Sequence, residues 1–283
     1  MLQISPDILY LIERALAEDM AYQDTTTAAL INSDLQGQAF ITAKSPGVLA
    51  GAIVAKAVFA RIEPSLESEL LLQDGALLSP GDQIAHIRGQ AKGILLGERT
   101  ALNFLQRMSG IATETARYVQ AVHGLPVQLV DTRKTLPGHR YLDKYAVRMG
   151  GGRNHRLNLA DGILIKDNHI IALKAQGVTL GDIVRRAIEN APHTLTVEVE
   201  VESVKEANEA LEAGAHIILL DNMNLKDMRE ATALAKGRAL TEASGGIRLE
   251  NVRAVAETGV DLISVGALTH SVTALDISME FQV

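Results

Sequence analysis

The chain has 283 residues, 47% of them apolar but only 3% aromatic, with no Trp, no Cys and a formal charge of −7. That length accommodates one large or two modest domains around an aliphatic core, and the lack of Cys excludes a disulfide framework, a thiolate metal site and a Cys nucleophile. No run approaches the roughly 20 apolar residues of a membrane span, and the start of the chain lacks the basic-then-apolar pattern of a signal peptide, so the expectation is a cytoplasmic globular protein with no membrane partner.

Ser5-Pro6 caps and opens a helix, along which Ile8, Leu9, Ile12, Ala15 and Leu16 form an apolar stripe. Residues 24–27 read as a loop, residues 38–44 as a strand, and residues 52–62 as an Ala-rich helix. The turns at Asp74-Gly75 and Pro80-Gly81-Asp82 bracket short strands near 76–78 and 83–87, and a further strand is predicted at 92–95. Two helices follow, over 97–107 and 113–122, broken at Ser109-Gly110, where the domain boundary is placed. From Leu125 onward six short apolar runs, at 127–130, 163–165, 195–201, 217–220, 239–240 and 262–265, alternate with helical patterns. Strand and helix in alternation predict parallel βαβ units, and six strands without a long reversal favour a barrel over an open sheet.

One stretch stands apart electrostatically. Residues 131–169 hold eight Lys or Arg against four Asp, a net +4 within a chain of net −7. A basic island in an acidic protein suits a small anionic ligand; a nucleic acid would be repelled by the remaining surface. The basic residues are interleaved with Gly150-Gly151-Gly152, Pro137-Gly138 and Asn154-His155, which shape a backbone and do more than solubilise it.

In barrels of this kind, chemistry collects at the carboxyl ends of the strands. There the chain offers Asp131-Thr132-Arg133-Lys134, then Lys166-Asp167-Asn168-His169, Asp221-Asn222, Thr241-Glu242-Ala243-Ser244-Gly245-Gly246 and Gly266-Ala267. Glu198, Glu200 and Glu202 alternate with Val197, Val199 and Val201, so period two puts the carboxylates on one face. That face points either into the barrel or, in an edge strand, to water. Glu200 with Asp221 could hold Mg²⁺, which takes a few hard oxygens and keeps its waters. The SGG and VGA turns let backbone N–H groups approach a phosphate, which His270 either bonds or leaves alone as a helix cap. Lys134 and Lys166 are equally open to a Schiff-base role, although an Arg-rich anion site suits permanently charged lysines better.

The strings DTRKT-x-PG-x-R (131–140), KYAV-x-x-GGG-x-NHR (144–156) and LIKDNH (164–169) resemble those of the quinolinate phosphoribosyltransferase family. The likeness continues through residues 18–27, 98–113, 198–203, 219–223, 242–247 and 264–271, in order and over nearly the whole chain; Leu136 and His139 depart from the common pattern without replacing a charged ligand. The resemblance implies an α/β fold: an N-terminal α/β sandwich over 1–110, rejoined by 272–283, and a C-terminal incomplete (open) α/β barrel over 111–271. It implies a homodimer whose sites are shared, Arg99 being the residue borrowed from the partner. The implied reaction takes quinolinate and phosphoribosyl pyrophosphate to nicotinate mononucleotide, pyrophosphate and carbon dioxide. By the same likeness Arg99, Thr132, Arg133, Lys134, Arg156 and Lys166 would hold quinolinate, with Arg140 and His155 assisting. Ser244, Gly245, Gly246, Gly266, Ala267 and His270 would hold the sugar phosphate. Lys134 and Lys166 would also meet the leaving pyrophosphate, and Glu200 and Asp221 the ribose and Mg²⁺.

Overall fold

The protein is described by a computed structural model covering residues 2–283. In chain order the elements are α1 (Pro6–Glu18), α2 (Thr25–Leu30), β1 (Gln36–Ala43), β2 (Gly47–Val48), α3 (Ala52–Ile62), β3 (Glu67–Leu70), β4 (Leu77–Leu78), β5 (Gln83–Gln90) and α4 (Ala91–Ala121). Then follow β6 (Gln128–Val130), α5 (Arg140–Met149), β7 (Ile163–Ile165), α6 (Asp167–Lys174), α7 (Leu180–Asn190) and β8 (Val197–Val201). The chain ends with α8 (Val204–Glu212), β9 (Ile217–Asp221), α9 (Leu225–Ala235), β10 (Leu240–Ser244), α10 (Val252–Ala256), β11 (Leu262–Ser264), α11 (Ala267–His270) and β12 (Ile277–Gln282). They group into two compact units, one of residues 1–116, 135–151 and 269–283, the other of residues 117–134 and 152–268. Among the described residues no helix is long and apolar enough to cross a membrane.

In the first unit a four-stranded antiparallel sheet runs β12-β1-β5-β3, so the last strand of the chain lies beside the first. The expected opening of α1 is present: Pro6 begins the helix and the Ser5 hydroxyl accepts from the Ile8 N–H. Ile8, Ile12 and Leu16 are buried, while Leu9 stays exposed. Residues 24–27 are not a loop. Asp24 caps α2 by accepting from the Thr26 N–H at 2.9 Å and from the Thr27 hydroxyl, an Asp N-cap signal that the row of threonines obscured.

The strand expected at 92–95 and the break expected at Ser109-Gly110 are both replaced by one 31-residue helix, α4. Ile94 is fully buried within it, and a buried apolar run shorter than two helical turns carries no period that separates helix from strand. Ser109 and Gly110 are packing positions on α4. The Ser109 hydroxyl sits 3.1 Å from both the N–H and the carbonyl of Ala50, and a Cβ on Gly110 would overlap the Thr273 carbonyl.

The second unit is the parallel α/β domain that the alternating pattern predicted. Its six strands run β6-β11-β10-β9-β8-β7, all parallel. This is the cyclic order of a barrel with one pairing missing, between β6 and β7, so the barrel is open. At the free edge of β6 a single bridge joins Val130 to Arg153, with the Arg153 N–H donating to Leu129 at 2.8 Å and the Asp131 N–H to Arg153 at 3.1 Å. Two of the helices between strands start with these side-chain caps: Ser203 accepts from Glu206 N on α8, and Asn224 from Lys226 N and Asp227 N on α9. Such a cap contributes about 1 kcal/mol.

Register decides the question left open by the alternating glutamates. Glu200 stands opposite Leu219, and Leu219 opposite Glu242. Residues in register on neighbouring strands point to the same face. Val197, Val199, Val201, Ile218, Leu220, Ala243 and Ile263 occupy the other face and are almost wholly buried. The valines therefore make core, and the glutamates share their face with the residues of the cleft described next.

Candidate active site

At the carboxyl end of the parallel strands lies a cleft of about 440 Å³. It is lined by Thr132, Arg133 and Lys134 after β6, His155 and Arg156 from the segment that seals the barrel seam, and Lys166 after β7. Glu200, Asp221, Glu242 and Ser244-Gly245-Gly246 complete it from β8, β9 and β10. A larger cavity, of about 850 Å³, lies in the first unit against α1 and α4. Of its two arginines, Arg107 is committed to Asp143, with bonds of 3.1 and 2.8 Å, and Arg14 lies over the Tyr10 ring at 6.0 Å, so the smaller cleft is the one with basic groups converging on a ligand.

Asp131 is the anchor of the basic segment. Fully buried, it accepts from the Asn154 amide at 2.6 Å and from the His155 N–H at 2.9 Å. The DTRK and NHR strings are thus two halves of one structure, tied by a buried carboxylate. The Arg156 guanidinium donates to the Gly162 carbonyl at 3.1 Å. Burial lowers its proton affinity, as does the like charge of Arg133 close by, while Glu198 and Asp161 act the other way. Two guanidiniums held together against their repulsion favour a ligand carrying more than one negative charge. Lys166 stands at the N-cap of α6, where its N–H donates to His169 Nδ1 at 2.9 Å. His169 therefore orients the loop.

The acids are as unevenly distributed. Glu200 is half-buried, and desolvation followed by the charge of Asp221 raises its pKa, against the pull of Lys166. Neighbouring carboxylates in that state offer hard oxygens to a divalent cation. Glu198 and Glu242 lie deeper, 5% and 1% exposed. With His155 they bring three potential donor atoms within 4.8 Å of one another. Burial, then the charge of Glu198, pushes Glu242 up to about 7.

Gly245 and Gly246 have φ of +85° and +62°, the left-handed region that favours glycine. A Cβ on Gly245 would also overlap the Asn222 side chain. Asn222 is itself left-handed, at φ +53°, and its N–H donates to the Ser244 carbonyl at 3.0 Å. The result is a turn whose two glycines carry no side chain of their own between backbone and ligand, suited to a phosphate.

Of the residues singled out from the sequence, Thr132, Arg133, Lys134, His155, Arg156, Lys166, Glu200, Asp221, Ser244, Gly245 and Gly246 meet in this cleft. Gly266 and Ala267 follow β11 outside its lining. Arg99, exposed on α4, Arg140, at the start of α5, and His270 belong to the first unit. Asn222 was noted at a strand end without a role, and sequence reasoning gave none to Leu164, Leu219, Glu242 and Ser264, which also line the cleft. Only Glu242 carried a usable signal, an acid three residues ahead of a glycine pair.

Two family profiles match the chain: the N-terminal domain of quinolinate phosphoribosyl transferase over residues 24–109, and its C-terminal domain over residues 111–280. The chain belongs to the quinolinate phosphoribosyl transferase family. It is 43% identical to a probable nicotinate-nucleotide pyrophosphorylase [carboxylating] of Bacillus subtilis over 270 residues, 95% of this chain and 92% of that one. It is 41% identical to quinolinate phosphoribosyltransferase [decarboxylating] 2, mitochondrial, of Nicotiana glauca, covering 97% of this chain and 82% of that one. Among solved structures, NadC from Streptococcus pyogenes superimposes with a TM-score of 0.93 at 40% identity, covering 100% of this chain and 99% of that one. The nicotinate-nucleotide pyrophosphorylase of Francisella tularensis gives 0.91 at 37% identity, covering 99% and 98%. The family members bear out the transferase reading and the mixed α/β architecture with an open barrel.

Proposed function

We propose that this family member transfers the phosphoribosyl group of phosphoribosyl pyrophosphate to the ring nitrogen of quinolinate, with loss of carbon dioxide, to form nicotinate mononucleotide and pyrophosphate. The observation that carries the reading is the meeting, in one cleft, of four basic side chains, two glycines of a phosphate turn and a pair of carboxylates. Arg133 and Arg156 grip the two carboxylates of quinolinate by paired hydrogen bonds, with Thr132, Lys134 and Lys166 completing the cradle and Arg140 and His155 assisting. By the family resemblance Ser244, Gly245 and Gly246 hold the sugar phosphate, with Gly266, Ala267 and His270 contributing. Lys134 and Lys166 also face the departing pyrophosphate and stabilise the charge that grows on it. Glu200 and Asp221 favour the cationic ribose that develops as the pyrophosphate leaves.

The same two carboxylates fit Mg²⁺: Glu200 is desolvated beside Asp221, so a divalent cation relieves their mutual repulsion. When bound, Mg²⁺ supplies charge neutralisation to a diphosphate. After transfer the ring nitrogen is positive; the adjacent carboxylate departs as carbon dioxide because the electron pair it leaves sits beside that cation, and the ring carbon then takes a proton from water. The protein's task is mainly to hold two anions in line. The cycle further calls for a homodimer in which Arg99 of each protomer completes its neighbour's site.

Incubation with quinolinate, phosphoribosyl pyrophosphate and Mg²⁺ should release carbon dioxide and nicotinate mononucleotide in equal amounts. Absence of both at high protein concentration would refute the reading.

A further inference from the structure

Behind the basic wall of the cleft sit two acids to which the transferase reading gives no role. Glu198 on β8 and Glu242 on β10 reach the same point from strands separated by β9, and the His155 ring lies between them. His155 Nε2 is 3.2 Å from Glu198 Oε2 and 3.6 Å from Glu242 Oε2. On the ring's other side, the backbone N–H of Arg156 donates to His155 Nδ1 at 2.7 Å. A backbone N–H can only donate, so Nδ1 is bare and the ring proton sits on Nε2. That proton points at Glu198, with Glu242 just beyond hydrogen-bonding range. Nε2 then has no lone pair for a metal, which removes the otherwise obvious use of a His with two carboxylates.

The arrangement is costly. Glu198 Oε1 and Glu242 Oε1 are both buried without a hydrogen-bond partner, and leaving an acceptor so is unfavourable unless something else depends on it. What depends on it is Arg156. Its guanidinium is pressed towards Arg133, a like charge, and Glu198 is first among the charges that counter this.

We propose that Glu198 and Glu242 are positioning residues for the dicarboxylate site: they clamp the Nε2 edge of His155, whose Nδ1 holds the Arg156 backbone, and so set the Arg156 fork against Arg133. This rests on the transferase reading and adds to it residues that touch no substrate. His155 then assists quinolinate binding through the Arg156 backbone it holds, with both ring nitrogens used inside the protein.

The test is calorimetric titration of quinolinate into wild-type protein and the Glu198→Gln and Glu242→Gln variants, alongside KM for phosphoribosyl pyrophosphate. The sign of the effect discriminates. Gln nearly preserves shape, and at about pH 8, above the value of about 7 for Glu242, removing a negative charge beside an anion pocket should, by Coulomb's law alone, tighten dianion binding. Positioning predicts the reverse: quinolinate Kd weaker by about ten-fold in each variant, with KM for phosphoribosyl pyrophosphate within about two-fold of wild type. Tighter or unchanged quinolinate binding in the folded variants overturns the proposal. Should either Gln variant not fold, His155→Ala, which cuts the link itself, must show the same ten-fold weakening or the proposal fails. A wild-type protein that binds no quinolinate sinks the transferase reading instead, so the two failures are told apart.

Discussion

Replacing Glu242 by Gln exposes the energetic consequence of keeping an acid in the cleft floor. Glu242 is 1% exposed. Burial, reinforced by the charge of Glu198, pushes its carboxyl from 4.5 up to about 7, against the attraction of His155 and the Ser264 hydroxyl. The native state therefore holds this proton more tightly than the unfolded chain does. The associated stability is fully present below the unfolded value of 4.5 and is lost as pH rises through about 7. Integrating between those two values, the wild-type protein should lose about 2.5 kcal/mol between about pH 5 and about pH 8 from this one group. Gln cannot ionise and has nearly the same shape, so the variant lacks that slope. Urea unfolding of both proteins at a series of pH values checks this: the wild-type-minus-variant free energy should fall steadily up to about pH 7 and then level off. A difference that stays constant across the series would refute the argument, because it would mean that Glu242 ionises alike in the native and unfolded chains.

Three further outcomes follow from individual contacts. Asp143→Ala removes the bidentate partner of Arg107 and the acceptor of the Leu136 N–H, and should cost about 3 kcal/mol, read as a lower urea midpoint. Gly245→Ala forces a Cβ into the left-handed region and against Asn222; it should destabilise the protein by about 1–3 kcal/mol and raise KM for phosphoribosyl pyrophosphate more than that for quinolinate. Arg99→Ala and Lys134→Ala proteins, each inactive alone, should regain part of the wild-type rate when mixed, and no rescue after demonstrated subunit exchange would refute a shared site.

Much of the site could be read from residue order because its parts are local. Glycine pairs, an Asp ahead of a TRK string and an NHR string each carry their chemistry in three or four adjacent residues, and the alternation of Val with Glu at 197–202 needs only the period of an extended chain. The alternation of apolar runs with helical patterns from residue 125 likewise yielded six strands and a barrel, because each βαβ unit is built from consecutive residues; that the barrel is open followed only from the family resemblance. Tertiary structure was required wherever a decision lay with a partner distant in the chain. Residues 92–95 form helix because they begin a long buried α4, a choice their own composition leaves open. Asp131 reveals its role only when Asn154 and His155 arrive beside it, and Glu242 only when strand register carries it to the face shared with Glu200. Local periodicity tells which way a side chain points; the pairing of β8 and β10 with β9 between them tells what it meets there.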